Sequence, residues 1–210
     1  MPPPTDILGV ILAGGRSRRF GGGDKGFADL GGQPVLSHVI ERFRPQVGRL
    51  ILNANGDVSR FACFGLEMVA DQVHPEQGPL SGVLAAIDWA KRHAPKYSAV
   101  ATVATDVPFL PPELIEQLDA ERGNGVAIAV SAGRRHPTIA LWPISARAAV
   151  ADALACQALS VDALATKVNA VAVPFPMREI EGHAVDPFFN VNTPDDLATA
   201  RSLIAKPQER

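Results

Sequence analysis

The stretch from Leu12 to Lys25, LAGGRSRRFGGGDK, sets Arg16, Arg18, Arg19 and Lys25 among glycines directly behind an apolar run. Glycine lets backbone N–H groups approach an anion closely, and cations in the same loop can surround a polyphosphate. A Walker A loop would need Gly-x-x-x-x-Gly-Lys-Ser/Thr, with the hydroxyl on Mg²⁺. Here Lys25 follows Asp24 and precedes Gly26, so that reading fails. A formal Gly-x-Gly-x-x-Gly does run through Gly21, Gly23 and Gly26. In a dinucleotide-binding fold such glycines open a helix straight after the first strand, and an acid at the end of the second strand holds a ribose. These glycines begin eight residues after Ala13, and Asn53 stands where the acid would be. What remains is a long loop at a strand end, with Gly14 and Gly15 amides beneath a triphosphate and Arg19 and Lys25 on its outer phosphates. The plain alternative is a surface loop with solvated arginines. Asp106 closes another apolar run, SAVATVAT, and a hard oxygen there suits Mg²⁺, which takes one or two carboxylates and completes its shell with phosphates and water. Capping of a turn before Pro108 is the structural alternative for Asp106.

Short apolar runs alternate with amphipathic segments, the βαβ pattern of an α/β sheet. Ile7 to Ala13 reads as a buried strand. A helix opening at Pro34 puts Val35, Leu36, Val39, Ile40 and Phe43 on one face. Strands follow at Leu50 to Leu52 and Leu66 to Ala70, a helix at Leu80 to His93, and a strand at Ser98 to Thr105. A helix opens at Pro111-Pro112. Gly125 to Ser131 and Thr138 to Trp142 read as a hairpin-like insertion joined by residues 132–137, in which His136 before Pro137 fixes the turn. Helical material around 144–156 and 160–168 precedes a strand at Ala170 to Phe175. Thr193-Pro194-Asp195-Asp196 is a helix start, with an N-cap, proline at the first position and acids in the first turn. Asn190 and Asn192 flank one valine in an extended segment, so both amides project to one face. The expectation is one Rossmann-like α/β domain over residues 1–210, with a mostly parallel mixed sheet flanked by helices and frayed ends at about 1–5 and 206–210.

The 210-residue chain is 47% hydrophobic, enough for a core without disulfides or metals. A formal net charge of −2 leaves no global field for nucleic acid or membrane, so an anionic ligand must meet a local cluster of cations. Cys63 and Cys156 match neither a zinc pattern nor a disulfide framework. The start MPPPTD lacks the basic and apolar regions of a signal peptide, and no apolar run approaches a membrane span of about 18 residues. A cytoplasmic monomer is expected.

The loop LAGGRSRRFGGGDK resembles the signature of nucleotidyltransferases that build nucleotide-sugar-like products, L-A-G-G-x-S-x-R-M/F-G-x-D-K. Within that superfamily the chain resembles the bacterial molybdenum cofactor guanylyltransferases. The resemblance continues in order through Asn53-Ala-Asn55, Asp71 with Gly78-Pro79-Leu80-Ser81-Gly82, Asp106-Val-Pro108, His136-Pro137-Thr138-Ile139-Ala140-Leu141 and Asn190-Val-Asn192-Thr193-Pro194. The loop and Asp106 belong to the wider superfamily, whereas HPTIAL and NVNTP point to the subgroup. The resemblance implies transfer of GMP from GTP to the phosphate of molybdenum-molybdopterin, with release of pyrophosphate and with Mg²⁺ as cofactor. It assigns Leu12, Ala13, Gly14, Gly15, Lys25, Asn53, Asp71 and Asp106 to the nucleotide, Arg19, Lys25 and Asp106 to catalysis, and Asp106 to the metal. Asn190 and Asn192 fall to the pterin side, and one of them is the candidate second metal ligand. Other proteins of molybdenum cofactor biosynthesis, or acceptors of the cofactor, are the implied protein partners.

The chemistry suits these residue types. A phosphate monoester is already anionic at neutral pH, so the task is to bring two anions together and to neutralise charge on leaving pyrophosphate. That calls for cations and Mg²⁺ rather than a Ser/His/Asp constellation. Guanine presents N1–H and N2–H₂ donors that a carboxylate such as Asp71 can accept; backbone carbonyls of the Gly78–Gly82 segment are the alternative readers. Arg134, Arg135 and His136 could cover an anionic second substrate, or form an ordinary polar turn. The competing functions are a cytidylyltransferase or another nucleotidyltransferase on the same fold, and a GTP-binding regulator without turnover.

Overall fold

The computed structural model describes residues 6–13, 25–72, 77–93 and 96–204. Six helices and eleven strands are formed among them. Seven strands make the central sheet: β1 (Ile7–Leu12), β4 (Arg49–Asn53), β5 (Glu67–Val69), β6 (Ala99–Ala104), β7 (Ala127–Ser131), β8 (Arg134–Pro143) and β9 (Val171–Pro174). Two small hairpins, β2 (Asp29–Leu30) with β3 (Gln33–Pro34) and β10 (Arg178–Ile180) with β11 (His183–Val185), stand apart from it. The helices are α1 (Val35–Phe43), α2 (Pro79–His93), α3 (Leu114–Arg122), α4 (Arg147–Ala155), α5 (Val161–Lys167) and α6 (Pro194–Ile204).

Strand order in the sheet is β5-β4-β1-β6-β8-β7-β9. All pairings are parallel except the two made by β8. The expected mostly parallel mixed sheet is therefore present. After β1 the chain moves outward through β4 to β5, and then returns through α2 to place β6 on the other side of β1. Strand order thus reverses at β1 and β6, and a crevice opens outside their carboxyl ends.

Alternation along each strand divides the core into two layers. Ile7 and Ile11 of β1 face α1 and α3, together with Leu36, Val39, Phe43, Leu114 and Leu118. Leu8 and Val10 face the other way, onto α2, α4 and α5 with Leu84, Ile87, Val150 and Leu164. The helical spacing read in residues 35–43 is matched: Val35, Leu36, Val39, Ile40 and Phe43 are all buried. A third cluster joins α6 to the small hairpins through Leu30, Val185, Val191, Leu197 and Leu203, beside the carboxyl edge of the sheet.

Two expectations are corrected. The segment after Ser131 is not an insertion with a six-residue turn, because β7 and β8 are integral strands of the central sheet. Only Ala132 and Gly133 form the turn, with φ of 47° and 71°; two consecutive left-handed residues match the twist of a tight hairpin. Arg134, Arg135 and His136 consequently lie in β8, and Arg135 is tied to α5 by Asp162 at 3.1 Å and Thr166 at 3.1 Å. The helix after Pro111-Pro112 begins at Leu114. Its start is joined to the end of α1 by buried Gln46, which donates to Arg42 O (2.7 Å) and Pro111 O (2.8 Å) and accepts from Ile115 N (3.1 Å).

Candidate active site

Every sequence-derived candidate among the described residues falls at the carboxyl edge of the sheet or on a segment packed against it. Leu12 ends β1, and Ala13 N–H donates to Asn53 O at 2.8 Å, carrying the ladder one residue further. Asn53 ends β4, Asp71 follows β5 and Asp106 follows β6. Gly14, Gly15 and Arg19 lie outside the described residues, as do Arg16, Arg18 and the Gly21–Gly23 run, for which mobility without ligand is the sequence expectation. The described chain resumes at Lys25, in a short 3₁₀ turn over Lys25–Phe27. The ring of Phe27 anchors that turn, with centroids 5.3 Å from Phe61 and 5.7 Å from Phe64.

Lys25 brings the two sides of the crevice together. Its Nζ lies 3.6 Å from Asp106 Oδ2 and donates to Asn192 Oδ1 at 2.5 Å. The side chains of Lys25 and Asp106 are 21% and 13% exposed, so solvent screens this group less than it would a surface pair. The segment carrying Asn192 is held independently: Val191 N–H donates to Asp106 O at 2.8 Å, and the Val191 side chain is buried. Beyond it Thr193 caps α6. Thr193 Oγ1 accepts from Asp196 N (3.1 Å), while Asp196 Oδ2 accepts from Asn192 N (2.9 Å) and Thr193 N (2.8 Å). This reciprocal capping box satisfies the helix end and fixes the Asn192 backbone at once. Asn190 is exposed and Asn192 half-buried on either side of the buried valine, as alternation in an extended segment requires.

On the β4 side, Asn53 and Asp71 meet. Asn53 is 3% exposed and its Nδ2 donates to Val69 O (3.0 Å) and Asp71 Oδ1 (2.9 Å). Asn55 completes the clasp, donating to Asp71 Oδ2 at 2.6 Å and accepting from Asp71 N at 2.9 Å. Asn53 is thus a brace for Asp71, with its amide committed inside the protein. Asp71 keeps acceptor capacity, because each carboxylate oxygen has a second lone pair. The Gly78–Gly82 segment is not a loop of spare carbonyls: Pro79 to Gly82 form the first turn of α2, and Gly78 O accepts from Ser81 N at 3.2 Å.

On the β7 side Ser131, His136 and Asp186 gather, although sequence spacing did not bring them together. Ser131 Oγ lies 2.7 Å from His136 Nε2 and donates to Asp186 Oδ1 at 2.5 Å. In a nucleophilic triad histidine lies between serine and acid. Here serine lies between the other two, is 2% exposed, and gives its proton to the carboxylate. Burial pushes the His136 imidazole below its ordinary range, Asp186 opposes that and Arg134 adds to it. Asn55, Ser131 and Asp186 were absent from the sequence-derived site, and only Asn55 stood inside a recognised motif.

No group of three or more His, Cys, Asp or Glu side chains that could hold a metal occurs among the described residues. The Asp106 carboxylate is a hard oxygen donor, a type that suits an ion completed by phosphate oxygens and water. No helix among the described residues is long and apolar enough to cross a membrane.

Comparison with known proteins gives concordant results. Residues 9–169 match the family model described as the MobA-like NTP transferase domain. A protein of Mesorhizobium japonicum named molybdenum cofactor guanylyltransferase is 45% identical over 203 residues, covering 95% of this chain and 96% of the relative. A protein of Nitrobacter hamburgensis with the same name is 44% identical, over 97% of this chain and 96% of that one. Among solved structures, molybdopterin-guanine dinucleotide biosynthesis protein A from Archaeoglobus fulgidus superposes with a TM-score of 0.66 at 24% identity, covering 93% of this chain and 97% of that one. The 4-diphosphocytidyl-2C-methyl-D-erythritol synthase of Anaerococcus prevotii shares the fold at a TM-score of 0.67 and 14% identity, over 93% and 94% of the two chains.

Proposed function

The chain belongs to the MobA-like NTP transferase family, and from that premise we propose that it transfers GMP from GTP to the phosphate of molybdenum-molybdopterin, releasing pyrophosphate. The convergence of Lys25, Asp106 and Asn192 at the point where strand order reverses carries this reading. It is supported by relatives named for that activity at 44–45% identity over nearly their whole length.

The nucleotide lies over the carboxyl ends of β1 and β4, with its base near the Asp71 clasp and its phosphates towards Lys25. Gly14, Gly15 and Arg19 join Lys25 on the phosphates. Asp106, with Asn190 or Asn192, would hold Mg²⁺, which would supply charge neutralisation on the phosphates and on departing pyrophosphate. Lys25 has two tasks in sequence. Without nucleotide it balances the Asp106 carboxylate; with nucleotide it turns to the β- and γ-phosphates and stabilises the leaving group. The acceptor approaches from the Asn190–Asn192 side, and its phosphate oxygen attacks the α-phosphorus while the bond to the β-phosphate oxygen breaks. No general base is required, since the attacking oxygen is already anionic. Asp71 accepts from guanine N1–H and N2–H₂. The protein works as a monomer.

The purified chain is incubated with Mg²⁺, molybdopterin and each nucleoside triphosphate in turn, and pyrophosphate is measured. Release with GTP alone is expected. Release with CTP alone would make the chain a cytidylyltransferase, and no release with any nucleotide would leave a binding protein without turnover. Asp106→Asn should lower turnover by about 10²–10³-fold, the scale of losing one electrostatic element of a transition state. Asp71→Asn sets an amide NH₂ against the donors of Asn53 or Asn55, so its readout is the GTP-to-CTP ratio rather than affinity. An unchanged ratio would remove Asp71 from base recognition.

A further inference from the structure

Ser131 Oγ carries one proton, and it goes to Asp186. The hydroxyl can then meet His136 only as an acceptor, which fixes His136 as the tautomer with hydrogen on Nε2. The direction of the chain is therefore set: His136 Nε2–H to Ser131 Oγ, and Ser131 Oγ–H to Asp186 Oδ1. Asp186 Oδ1 also accepts from Phe188 N at 2.9 Å, and Phe189 N donates back to Asp186 O at 3.0 Å, closing a turn. The Phe188 ring is clamped between His136, with centroids 4.9 Å apart, and Phe175 at 5.2 Å.

These contacts pin one end of the strap 186–192, while Val191 N–H on Asp106 O pins the other. Asn190 sits between the two anchors and Asn192 just past the second. We propose that Ser131, His136 and Asp186 are positioning residues that hold this strap against β7 and β8, and so set where Asn190 and Asn192 meet the phosphorylated acceptor. The inference rests on the proposed transferase reaction for its substrate, but the hydrogen-bond direction stands on geometry alone. Lys25 rides on its own turn, held by Phe27 on Phe61 and Phe64, so its backbone and its contact with Asp106 do not depend on the strap, although its Nζ also donates to Asn192 Oδ1. Loss of the relay therefore falls first on the acceptor: GTP can lose Asn190 or Asn192 as the candidate second metal ligand but keeps Lys25 and Asp106.

Three variants are compared by steady-state kinetics with each substrate varied separately, and by thermal unfolding. Ser131→Ala should raise the acceptor KM about tenfold, which corresponds to about 1.4 kcal/mol, and Asp186→Ala, which also loses the Phe188 N–H bond, by about tenfold or more; both should leave the KM for GTP within about twofold. Asp186→Asn keeps a carbonyl oxygen that accepts from both Ser131 and Phe188 N, and should restore the acceptor KM to within about threefold of wild type. A purely structural role would lower the melting temperature without this split between substrates. Nitrogen-15 NMR of the unmutated protein gives a readout that needs no turnover: His136 should be the Nε2–H tautomer. An Nδ1–H tautomer, an unchanged acceptor KM in folded Asp186→Ala, or failure of Asp186→Asn to restore it would overturn the relay. An inactive wild-type chain that shows the Nε2–H tautomer would instead retain the relay and refute the transferase reading.

Discussion

A methyl group at Gly82 would test how tightly the Asp71 clasp is built. Gly82 lies in the first turn of α2, and a Cβ there would stand 2.3 Å from Asn53 Oδ1, 2.9 Å from Asn53 Cγ and 2.7 Å from Leu12 Cδ2. The Leu12 methyl can swing aside, because that residue is half-buried. Asn53 cannot, because it is 3% exposed and tied to Val69 O and Asp71. In a helix interior alanine is favoured over glycine by about 0.5–1 kcal/mol. Against that, overpacking costs about 1–3 kcal/mol, and displacing Asn53 from the Asp71 carboxylate about 1.5–3 kcal/mol more. Gly82→Ala should therefore lose about 1.5–5.5 kcal/mol net, a fall in Tm of roughly 3–22 °C for a chain of this length. Thermal unfolding of Gly82→Ala, Asn53→Ala and the double variant separates the terms. Once Asn53 is truncated the carboxamide is gone, so adding Gly82→Ala should be neutral or raise Tm. A coupling below about 0.5 kcal/mol between the two substitutions, or a Gly82→Ala protein more stable than wild type, would refute the close approach.

Other expectations follow from the same geometry. Gln46→Ala removes three hydrogen bonds and strands the buried Ile115 N–H, while Pro111 O keeps Leu114 N; it should cost about 2–4 kcal/mol, read as a lower denaturant midpoint with an unchanged slope. Asp196→Ala opens the capping box and should cost about 1 kcal/mol of stability, yet lower kcat by more than that loss implies, because the Asn192 backbone loses its acceptor. Burial holds the folded His136 pKa down, so the unfolded chain binds its proton first on acidification. Stability from this group is present above the unfolded value of about 6.5 and is lost as pH falls through the window beneath it. Wild-type Tm should accordingly drop between about pH 7.5 and about pH 5.5, and His136→Gln should drop less over the same range.

Local pattern decided most of the architecture. Apolar runs of strand length and the 3.6-residue spacing of Val35 to Phe43 depend only on neighbours in sequence, and they located β1, α1, β4, α2 and β6 to within a few residues. Because parallel strands align their carboxyl ends, residues just past those runs, Asn53, Asp71 and Asp106, had to share one edge. The Thr193–Asp196 capping box was legible for the same reason: its partners lie three residues apart. Boundaries failed where a tertiary pairing overrode local signals. Pro137 and the charged residues before it read as a turn, yet β8 begins at Arg134 because Arg134 to His136 pair with Ser131 to Ala129, and the register shifts past Pro137 before Ala140 and Leu141 pair again.

Contacts between distant residues belonged to tertiary structure alone. Lys25 and Asn192 are 167 positions apart, Ser131 and Asp186 are 55 apart, and Gln46 meets Pro111 across 65. Nothing in the local composition around Ser131 marks it as a partner of an aspartate beyond β11. Folding brings them together because the sheet places the end of β7 beside the strap that returns to Asp106. Residue types near Lys25 and Asp106 raised the expectation of phosphate and metal chemistry. Only packing determined which neutral side chains, Asn53, Asn55, Ser131 and Asn192, would hold the charged ones in place.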